Sequence, residues 1–308
     1  MITENYLDPD VGYLLGLIVA RGQVSSGSGS PIVWIEFPHR SLEAKGIDKA
    51  FDQEHYIEHN LLLIKERIAG TLGHIVEHTM QPGRGTIIIR FPGRPMTIRN
   101  LEFLLGEKFT PKTARIPKAV FAASPEIQRQ FVRGFADCAG FIRPSNAYMG
   151  RWHRVYFQIP NDNWILPIEI CALLQTKLKV PVQSVQWGHP NIRTPHDPAT
   201  RSWSKEHQLR VFAQDYLPVG FHVTYKDEIL KELAHANSGS KPTPFCNPNR
   251  SIRRLTKKPR HSEEKSEKLP AALRRHFNAY WQVCLKLGCS QCRKVSGEPR
   301  ELFEADDE

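Results

Sequence analysis

The chain has 308 residues, and its 42 lysines and arginines outnumber its 32 aspartates and glutamates, which gives a formal charge of +10 at pH 7. Hydrophobic residues make up 40% of the chain, enough to bury a sizeable core, and the length fits two domains of ordinary size. No apolar run reaches the roughly 18–20 residues of a membrane span, and we expect no secretory signal peptide because the first residues are acidic and polar.

The excess of positive charge is typical of proteins that bind a polyanion, provided that the charge gathers on one surface. We expect the protein inside the cell, in the cytoplasm with the nucleoid or, in a eukaryote, in an organelle or the nucleus. Cysteines stay reduced in such a compartment. Cys138 and Cys171 lie in apolar helical patterns and are predicted to be small core residues.

Periodicity predicts a first unit of alternating helices and strands. Residues 10–20 are apolar over a helical length that ends before Gly22, and residues 31–39 alternate apolar and polar side chains, as a half-buried strand does. A Gln-Pro-Gly turn at 81–83 joins two extended runs into a hairpin. The predicted elements are a helix over 10–20, a strand over 31–39, a helix over 53–70, strands over 74–80 and 84–91, and a helix over 97–105.

The same order of patterns recurs in the second part of the chain. The helix that opens this unit has Pro125 in its first turn, directly after Ser124, which is a suitable N-cap residue. Each unit is predicted as helix, two strands, helix, two strands and helix, which makes the chain an α+β protein. The elements of the second unit are a helix over 125–138, a strand over 153–159, a helix over 163–178, strands over 182–187 and 207–213, and a helix over 224–236.

Two half-domains, 1–115 and 116–236, are therefore expected, followed by a basic, cysteine-containing tail over 237–308. Residues 250–260 hold six cationic side chains and no acid, which indicates either an arm along phosphates or a solvated linker. Tail cysteines supply thiolates for a structural Zn²⁺, although one pair alone has the CxxC spacing, and free thiols are the alternative. The candidate zinc ligands are Cys246, Cys284, Cys289 and Cys292.

Matching segments open the two units. The first is LLGLIVARG at 14–22, and the second is VRGFADCAG at 132–140. Both resemble the LAGLIDADG signature of homing endonucleases. The resemblance implies two pseudo-symmetric αββαββα half-domains whose sheets form a saddle-shaped surface on double-stranded DNA. It also implies a monomer with internal pseudo-two-fold symmetry, held together where Gly16 and Gly134 let the two motif helices pack closely.

The resemblance also identifies the positions that carry chemistry in the family. The acidic residue just before the last glycine of each motif binds the divalent metal ion there, because metal-assisted hydrolysis needs oxygen ligands. Arg21 and Ala139 occupy these positions here, so no catalytic Mg²⁺ is expected. Asp137 is the residual catalytic candidate, and Arg21 is predicted to contact a phosphate instead.

Arginine, lysine and glutamine side chains on the strands and connections are the predicted DNA contacts. Arginine and glutamine suit bidentate recognition of guanine and adenine edges in the major groove. Together with Arg21 and the tail cations, the candidates are Arg84, Arg90, Arg151, Arg154, Gln183, Gln186, Arg193, Arg201, Lys205, Gln208, Arg210, Arg253, Arg254, Lys257 and Lys258.

The leading hypothesis is a sequence-specific DNA-binding protein, derived from a homing endonuclease, that does not cleave and serves as a regulator or recognition subunit. One alternative is an active endonuclease that uses a partner subunit's active site or relocated acids, such as Glu4, Asp8, Asp10 or Asp137. A second alternative is an RNA-binding intron maturase, which would favour unpaired bases and RNA shape over a duplex.

Overall fold

A computed structural model describes residues 7–25, 32–42, 53–73, 76–81, 86–92, 95–106, 109–145, 152–163, 165–191 and 204–237. The predicted tail helix, the basic run and the tail cysteines lie outside these ranges. Within them, no helix is long and apolar enough to cross a membrane.

The predicted helices and strands are present in the predicted order, and the described residues contain three further short helices, His39–Leu42, Lys118–Ala122 and Ala213–Tyr216, that the sequence did not predict. The first repeat contains α1 (Pro9–Arg21), β1 (Gly22–Ser25), β2 (Ile32–Pro38), α2 (His39–Leu42), α3 (Gln53–Leu72), β3 (Glu77–Gln81), β4 (Thr86–Pro92) and α4 (Pro95–Leu105). The second contains α5 (Lys118–Ala122), α6 (Pro125–Ala139), β5 (Gly140–Arg143), β6 (Arg154–Pro160), α7 (Leu166–Ala172), β7 (Ser184–Asn191), β8 (Ser204–Phe212), α8 (Ala213–Tyr216) and α9 (Thr224–Ala236).

Each repeat forms one antiparallel sheet of four strands. The strand orders, β1-β2-β4-β3 and β5-β6-β8-β7, are the same. The registers also agree, because Gly22 lies opposite Ile35 in the first sheet as Gly140 lies opposite Phe157 in the second. The predicted α+β class with two similar halves is confirmed.

Both motif helices have well-defined ends. Asp8 caps α1, since its Oδ1 accepts hydrogen bonds from the backbone N–H groups of Asp10 (2.9 Å) and Val11 (2.8 Å). At the other end, the chain turns sharply from helix into strand at Gly22 and Gly140. A Cβ atom at Gly22 would lie 2.6 Å from the Cα of Ile18, so only glycine fits this turn without a shift of the backbone.

Helices α1 and α6 pack against each other at two glycines. A Cβ atom on Gly16 would lie 2.0 Å from the carbonyl oxygen of Phe131, and one on Gly134 would lie 2.1 Å from that of Tyr13. The two contacts are reciprocal, as an internal two-fold relation requires. The prediction that small residues bring these helices together is confirmed.

Alternation along the strands separates two faces of each sheet. In β2, Val33, Ile35 and Phe37 are fully buried and belong to the common core. The core face of the second sheet packs on α6, where the rings of Phe157 and Phe135 lie 6.2 Å apart. We call the opposite face of each sheet, which carries Trp34 in the first sheet and Tyr156 in the second, its outer face. Cys138 and Cys171 are buried, as predicted.

Several element boundaries differ from the prediction. The helix expected over 163–178 begins at Leu166, whose N–H donates to Oδ1 of Asn163, and its second half, Leu173–Lys177, is π-helical. Strand β3 begins at Glu77 instead of residue 74, and β7 continues to Asn191 instead of ending at residue 187. Boundaries of this kind depend on partner strands and caps, which periodicity does not specify.

Candidate nucleic-acid interface

The outer face of the second sheet carries a row of three glutamines. Gln158 on β6 lies opposite Gln208 on β8, which in turn lies opposite Gln186 on β7. The adjacent row places Tyr156 opposite Arg210. Directly opposite residues of antiparallel strands point to the same face, so these side chains form one continuous polar surface.

Arg210 is held by the glutamines around it. Its Nε donates to Oε1 of Gln208 (2.9 Å), and its NH2 donates to Oε1 of Gln186 (2.7 Å). The guanidinium carbon also lies 5.6 Å from the ring centre of Tyr156. Burial lowers the pKa of Arg210; Tyr156 opposes this shift, and the charges of Arg154 and Arg143 add to it. In both glutamines Oε1 accepts from Arg210, and the amide N–H groups are the hydrogen-bond donors of the side chain.

Two more arginines lie beside Arg210 on the same face, together with aromatic rings. The guanidinium of Arg154 lies 5.0 Å from the ring of Phe212, and that of Arg143 lies 5.4 Å from the ring of Phe141. Arg154 donates to Oε1 of Gln183, to the carbonyl of Trp152 and to Oγ of Ser145, the last at 3.1 Å. Burial lowers the pKa of Arg154 as well. The face thus concentrates cationic and hydrogen-bonding groups.

Several side chains of this polar surface are buried against one another. Arg154, Gln208 and Arg210 have exposed fractions of 2%, 4% and 9%, whereas Arg143 and, on the first sheet, Arg90 are exposed. Arg154, Gln208 and Arg210 therefore lie on the predicted face but are not open to solvent.

The outer face of the first sheet has a different chemistry. One row contains Trp34 and Arg90, with Gln23 and Glu77 on the edge strands. The next row consists of Glu36, Ile88 and Thr79. One carboxylate, one aliphatic chain and one hydroxyl group thus stand where the second sheet carries three amides.

A buried ion pair lies where the first motif helix ends. The NH2 of Arg21 on α1 lies 3.2 Å from Oε1 of Glu206 on β8, and the two side chains are 8% and 3% exposed. The pair joins the two repeats. Among the described residues, the buried Nε of Arg21 has no hydrogen-bond partner. Nε of Arg21 is therefore a hydrogen-bond donor that does not bind Glu206.

These residues do not fit the divalent cation that the family resemblance implies. Ala139 offers no oxygen, and the guanidinium of Arg21 would repel a cation at the other position. The carboxylate of Glu206 is already neutralised by Arg21. In the part of the chain that the structure describes, no three His, Cys, Asp or Glu side chains form a group suited to a metal ion.

Asp137 lies inside the protein, where it connects helices. Its Oδ2 accepts hydrogen bonds from the hydroxyl of Tyr13 (2.9 Å) and the backbone N–H of His222 (3.1 Å). The carboxylate is fully buried, and burial raises its pKa, while Lys226 and His222 oppose this shift. The geometry gives Asp137 a structural role between α1 and α6, and its catalytic role stays an untested alternative.

The other relocated acids also have structural partners. Asp8 caps α1, and Oδ1 of Asp10 accepts from Arg67 at 2.8 Å and 3.0 Å. Glu4 lies outside the described residues. Neither Asp8 nor Asp10 belongs to the outer faces of the sheets.

Of the remaining predicted site residues, one has a described side chain and the others do not. Gln183 precedes β7 and accepts a hydrogen bond from Arg154, so two predicted DNA contacts bind each other. Lys205 lies in β8, but its side chain is outside the described set. Also outside are Arg84, Arg151, Arg193, Arg201, Arg253, Arg254, Lys257, Lys258, Cys246, Cys284, Cys289 and Cys292.

Sequence reasoning missed three residues of this surface, namely Arg143, Gln158 and Glu206. Alternation along β6 from Arg154 would have found Gln158, and alternation along β8 from Gln208 would have found Glu206. No sequence signal links Glu206 to Arg21, because their contact joins distant parts of the chain.

No model of a protein family matches the chain, and no curated protein is similar to it. Among solved structures, it is similar to a variant of the homing endonuclease I-DmoI in complex with its target DNA, with 13% identity, 73% of this chain and 99% of that chain covered, and a TM-score of 0.38. It is also similar to the LAGLIDADG meganuclease I-AabMI bound to uncleaved DNA, with 11% identity, 98% and 100% covered, and a TM-score of 0.30.

Proposed function

We propose that this protein binds double-stranded DNA at specific sequences without cleaving it, as a regulator or as the recognition subunit of a larger system. The observation that carries the proposal is the ion pair of Arg21 and Glu206 at the end of α1. A buried cation with its own carboxylate stands where the family resemblance requires an acid for a metal ion. Ala139 leaves the second such position without a ligand.

The outer faces supply the chemistry of DNA recognition. Arginine and glutamine offer paired donors and acceptors that match guanine and adenine edges in the major groove. Arg210 with Gln186 and Gln208 presents such groups on two adjacent strands. The net charge of +10 adds an attraction to phosphates that does not depend on sequence.

Arg21 is proposed to contact a phosphate at the centre of the bound duplex. Its NH2 faces Glu206, but its buried Nε has no partner among the described residues. Because a buried donor without an acceptor costs roughly 1–3 kcal/mol, a phosphate oxygen at this position would remove that cost. The contact would position the duplex and carry no sequence information.

The tail is proposed to add a structural Zn²⁺ on Cys246, Cys284, Cys289 and Cys292, and a basic arm along the DNA backbone. Thiolates at a CxxC spacing are suitable zinc ligands. The zinc proposal is tested by the metal content of the purified full chain. About one zinc per chain, lost when Cys289 and Cys292 are replaced by serine, is expected, and a zinc content near zero rejects it.

Selection of bound duplexes from a random pool tests the central proposal. The full chain is expected to enrich a defined sequence and to protect it in footprinting. The enriched duplex is then incubated with the protein and Mg²⁺ or Mn²⁺, and no strand scission is expected. Reproducible cuts at one position would contradict the non-cleaving function and favour the alternative of an endonuclease with relocated acids or a partner's active site.

A competition experiment addresses the remaining alternative. Structured intron RNA is added as a competitor to the protein bound to its selected duplex. The selected duplex is expected to stay bound in the presence of an equal concentration of RNA, because the outer faces carry side chains suited to base edges in the major groove of DNA. Stronger binding of the RNA would replace the DNA-binding proposal with that of a maturase.

A further inference from the structure

The shared register of the two sheets assigns each outer-face position of one sheet an equivalent in the other. Gly22 and Gly140 begin the first strands and fix the alignment. Trp34 and Arg90 then correspond to Tyr156 and Arg210, since each arginine lies directly opposite the aromatic residue. The two faces can therefore be compared position by position.

The next row differs in its capacity to read bases. In the second sheet this row is Gln158, Gln208 and Gln186, and each amide carries both a donor and an acceptor. In the first sheet the equivalent residues are Glu36, Ile88 and Thr79. Isoleucine offers no hydrogen bond, and a carboxylate accepts but does not donate, so it cannot form the paired contacts to adenine that an amide forms.

The net charge of the two outer faces also favours DNA contact by the second sheet. Among the described outer-face side chains, the first sheet has Arg90 with Glu36 and Glu77, so carboxylates exceed cations. The second sheet has the three arginines that surround Tyr156, and its Glu206 is paired with Arg21 of the other repeat. Phosphates on both sides of the major groove are therefore attracted to the second sheet more strongly than to the first.

We propose that the bound duplex is asymmetric and that its sequence is read by the second sheet, with Gln158, Gln186, Gln208 and Arg210 as the specificity-determining residues. This inference rests on the proposed function. Arg210 exchanges its two glutamine acceptors for the O6 and N7 atoms of a guanine, and the released amides meet the neighbouring base pairs. The first sheet holds the other half of the duplex by contacts that do not depend on sequence.

Half-site duplexes test the inference in the full chain. From the selected sequence, two duplexes of equal length are made, each with one half kept and the other scrambled. Fluorescence anisotropy is expected to show that one half keeps most of the discrimination against a fully scrambled duplex. Equal contributions of the two halves would overturn the asymmetric reading.

Arg210→Ala and the equivalent Arg90→Ala form a matched pair of variants. They show which sheet reads the half of the duplex that keeps the discrimination. Arg210→Ala is expected to weaken binding to the selected duplex by about 5- to 150-fold and to abolish discrimination at one base pair. Arg90→Ala is expected to weaken binding to selected and scrambled duplexes by the same factor. Loss of discrimination in Arg90→Ala, with discrimination kept in Arg210→Ala, would overturn the assignment to the second sheet.

Gln186→Ala keeps the test decisive if Arg210→Ala does not fold. Gln186 is half-buried, so its truncation perturbs the core less than loss of a buried arginine, and thermal unfolding verifies the fold. Thr79→Ala at the equivalent position of the first sheet is its control. Failure of the pool to enrich any duplex refutes the proposed function itself, whereas enrichment with two equal halves refutes this inference alone.

Discussion

Lys226 lies fully buried on α9, with its ammonium group at the C-terminal end of α6. Its Nζ donates to the carbonyl oxygens of Ala136 and Gly140, both at 3.0 Å. A cation at this end of a helix gives these carbonyls a charged donor and matches the negative end of the helix dipole. Burial lowers the pKa of Lys226 from 10.5 to about 8, while Asp137 opposes this shift.

The Lys226→Met variant tests this assignment through the pH dependence of stability. Between pH 8 and pH 10.5, the unfolded chain keeps a proton that the folded chain has released from Lys226. The free energy of unfolding of the parent, relative to the variant, is therefore expected to rise with pH over this window, by at most about 3 kcal/mol. Urea unfolding at several pH values measures the difference. Lys231→Met, exposed on the same helix, is the control, and a flat difference for Lys226→Met would contradict the assignment.

Arg21 and Glu206 form a second buried charge site, and its energy is measurable by a double-mutant cycle. Removal of one partner leaves the other charge buried and uncompensated, so Arg21→Met or Glu206→Met is expected to cost about 3–5 kcal/mol. The double variant is expected to lose less than the sum of the two. Additive losses in chemical denaturation would mean that the two side chains are not coupled, and the proposed filling of the family's metal position would lose its support.

At the scale of elements, the crossing of α1 and α6 determines how the two repeats meet. Gly16 and Gly134 each admit a backbone carbonyl of the opposite helix. Such a carbonyl cannot move aside as a flexible side chain can, because it belongs to the hydrogen-bonded ladder of its own helix. Close packing of this kind explains how the two motif helices form the centre of the molecule.

Gly16→Ala and Gly134→Ala are each expected to destabilise the fold by about 3 kcal/mol or more, because the added methyl group overlaps backbone atoms. Gly70→Ala is the matched control: it lies within α3, where an added Cβ would meet no atom within 4 Å, and it is expected to gain roughly 0.5–1 kcal/mol. Urea unfolding measures all three. A motif variant as stable as the parent would contradict the close helix crossing.

At the scale of the whole molecule, the proposed function has the positive charge and the two sheets act on the same duplex. Each neutralised phosphate contributes about 0.9 to the slope of log affinity against log salt concentration. The tail cations, if they follow the DNA backbone, add to this slope without affecting which sequence is preferred. Affinity and specificity are thus expected to reside in different parts of the chain.

Replacement of Arg253, Arg254, Lys257 and Lys258 by alanine tests this division. The salt slope is expected to fall by about 3–4, and the consensus of the selected duplex is expected to stay the same. Titrations of the full chain and the variant at several salt concentrations provide the measurement. An unchanged slope would identify the basic run as a solvated linker, and a changed consensus would make it a reader of bases.

The sequence by itself determined the elements and their repetition. Apolar periodicity, the Ser124 cap and the two glycine-ended motifs are local signals, and a helix or strand responds to local spacing of side chains. The family resemblance of the two motifs, and not the spacing of small residues alone, predicted that Gly16 and Gly134 let the motif helices pack closely. The sequence also has Arg21 and Ala139 where the family resemblance implies acids, and the absence of cleavage stays a prediction from these two positions.

Tertiary structure alone decided which side chains meet and which are covered. The ion pair of Arg21 with Glu206 joins two repeats, and the burial of Asp137 depends on Tyr13 and on the backbone of His222. Likewise, the glutamine row needs the register of three strands, two of which are not neighbours in the chain. These contacts arise from how repeats and strands pack, and residue spacing carries no record of that packing.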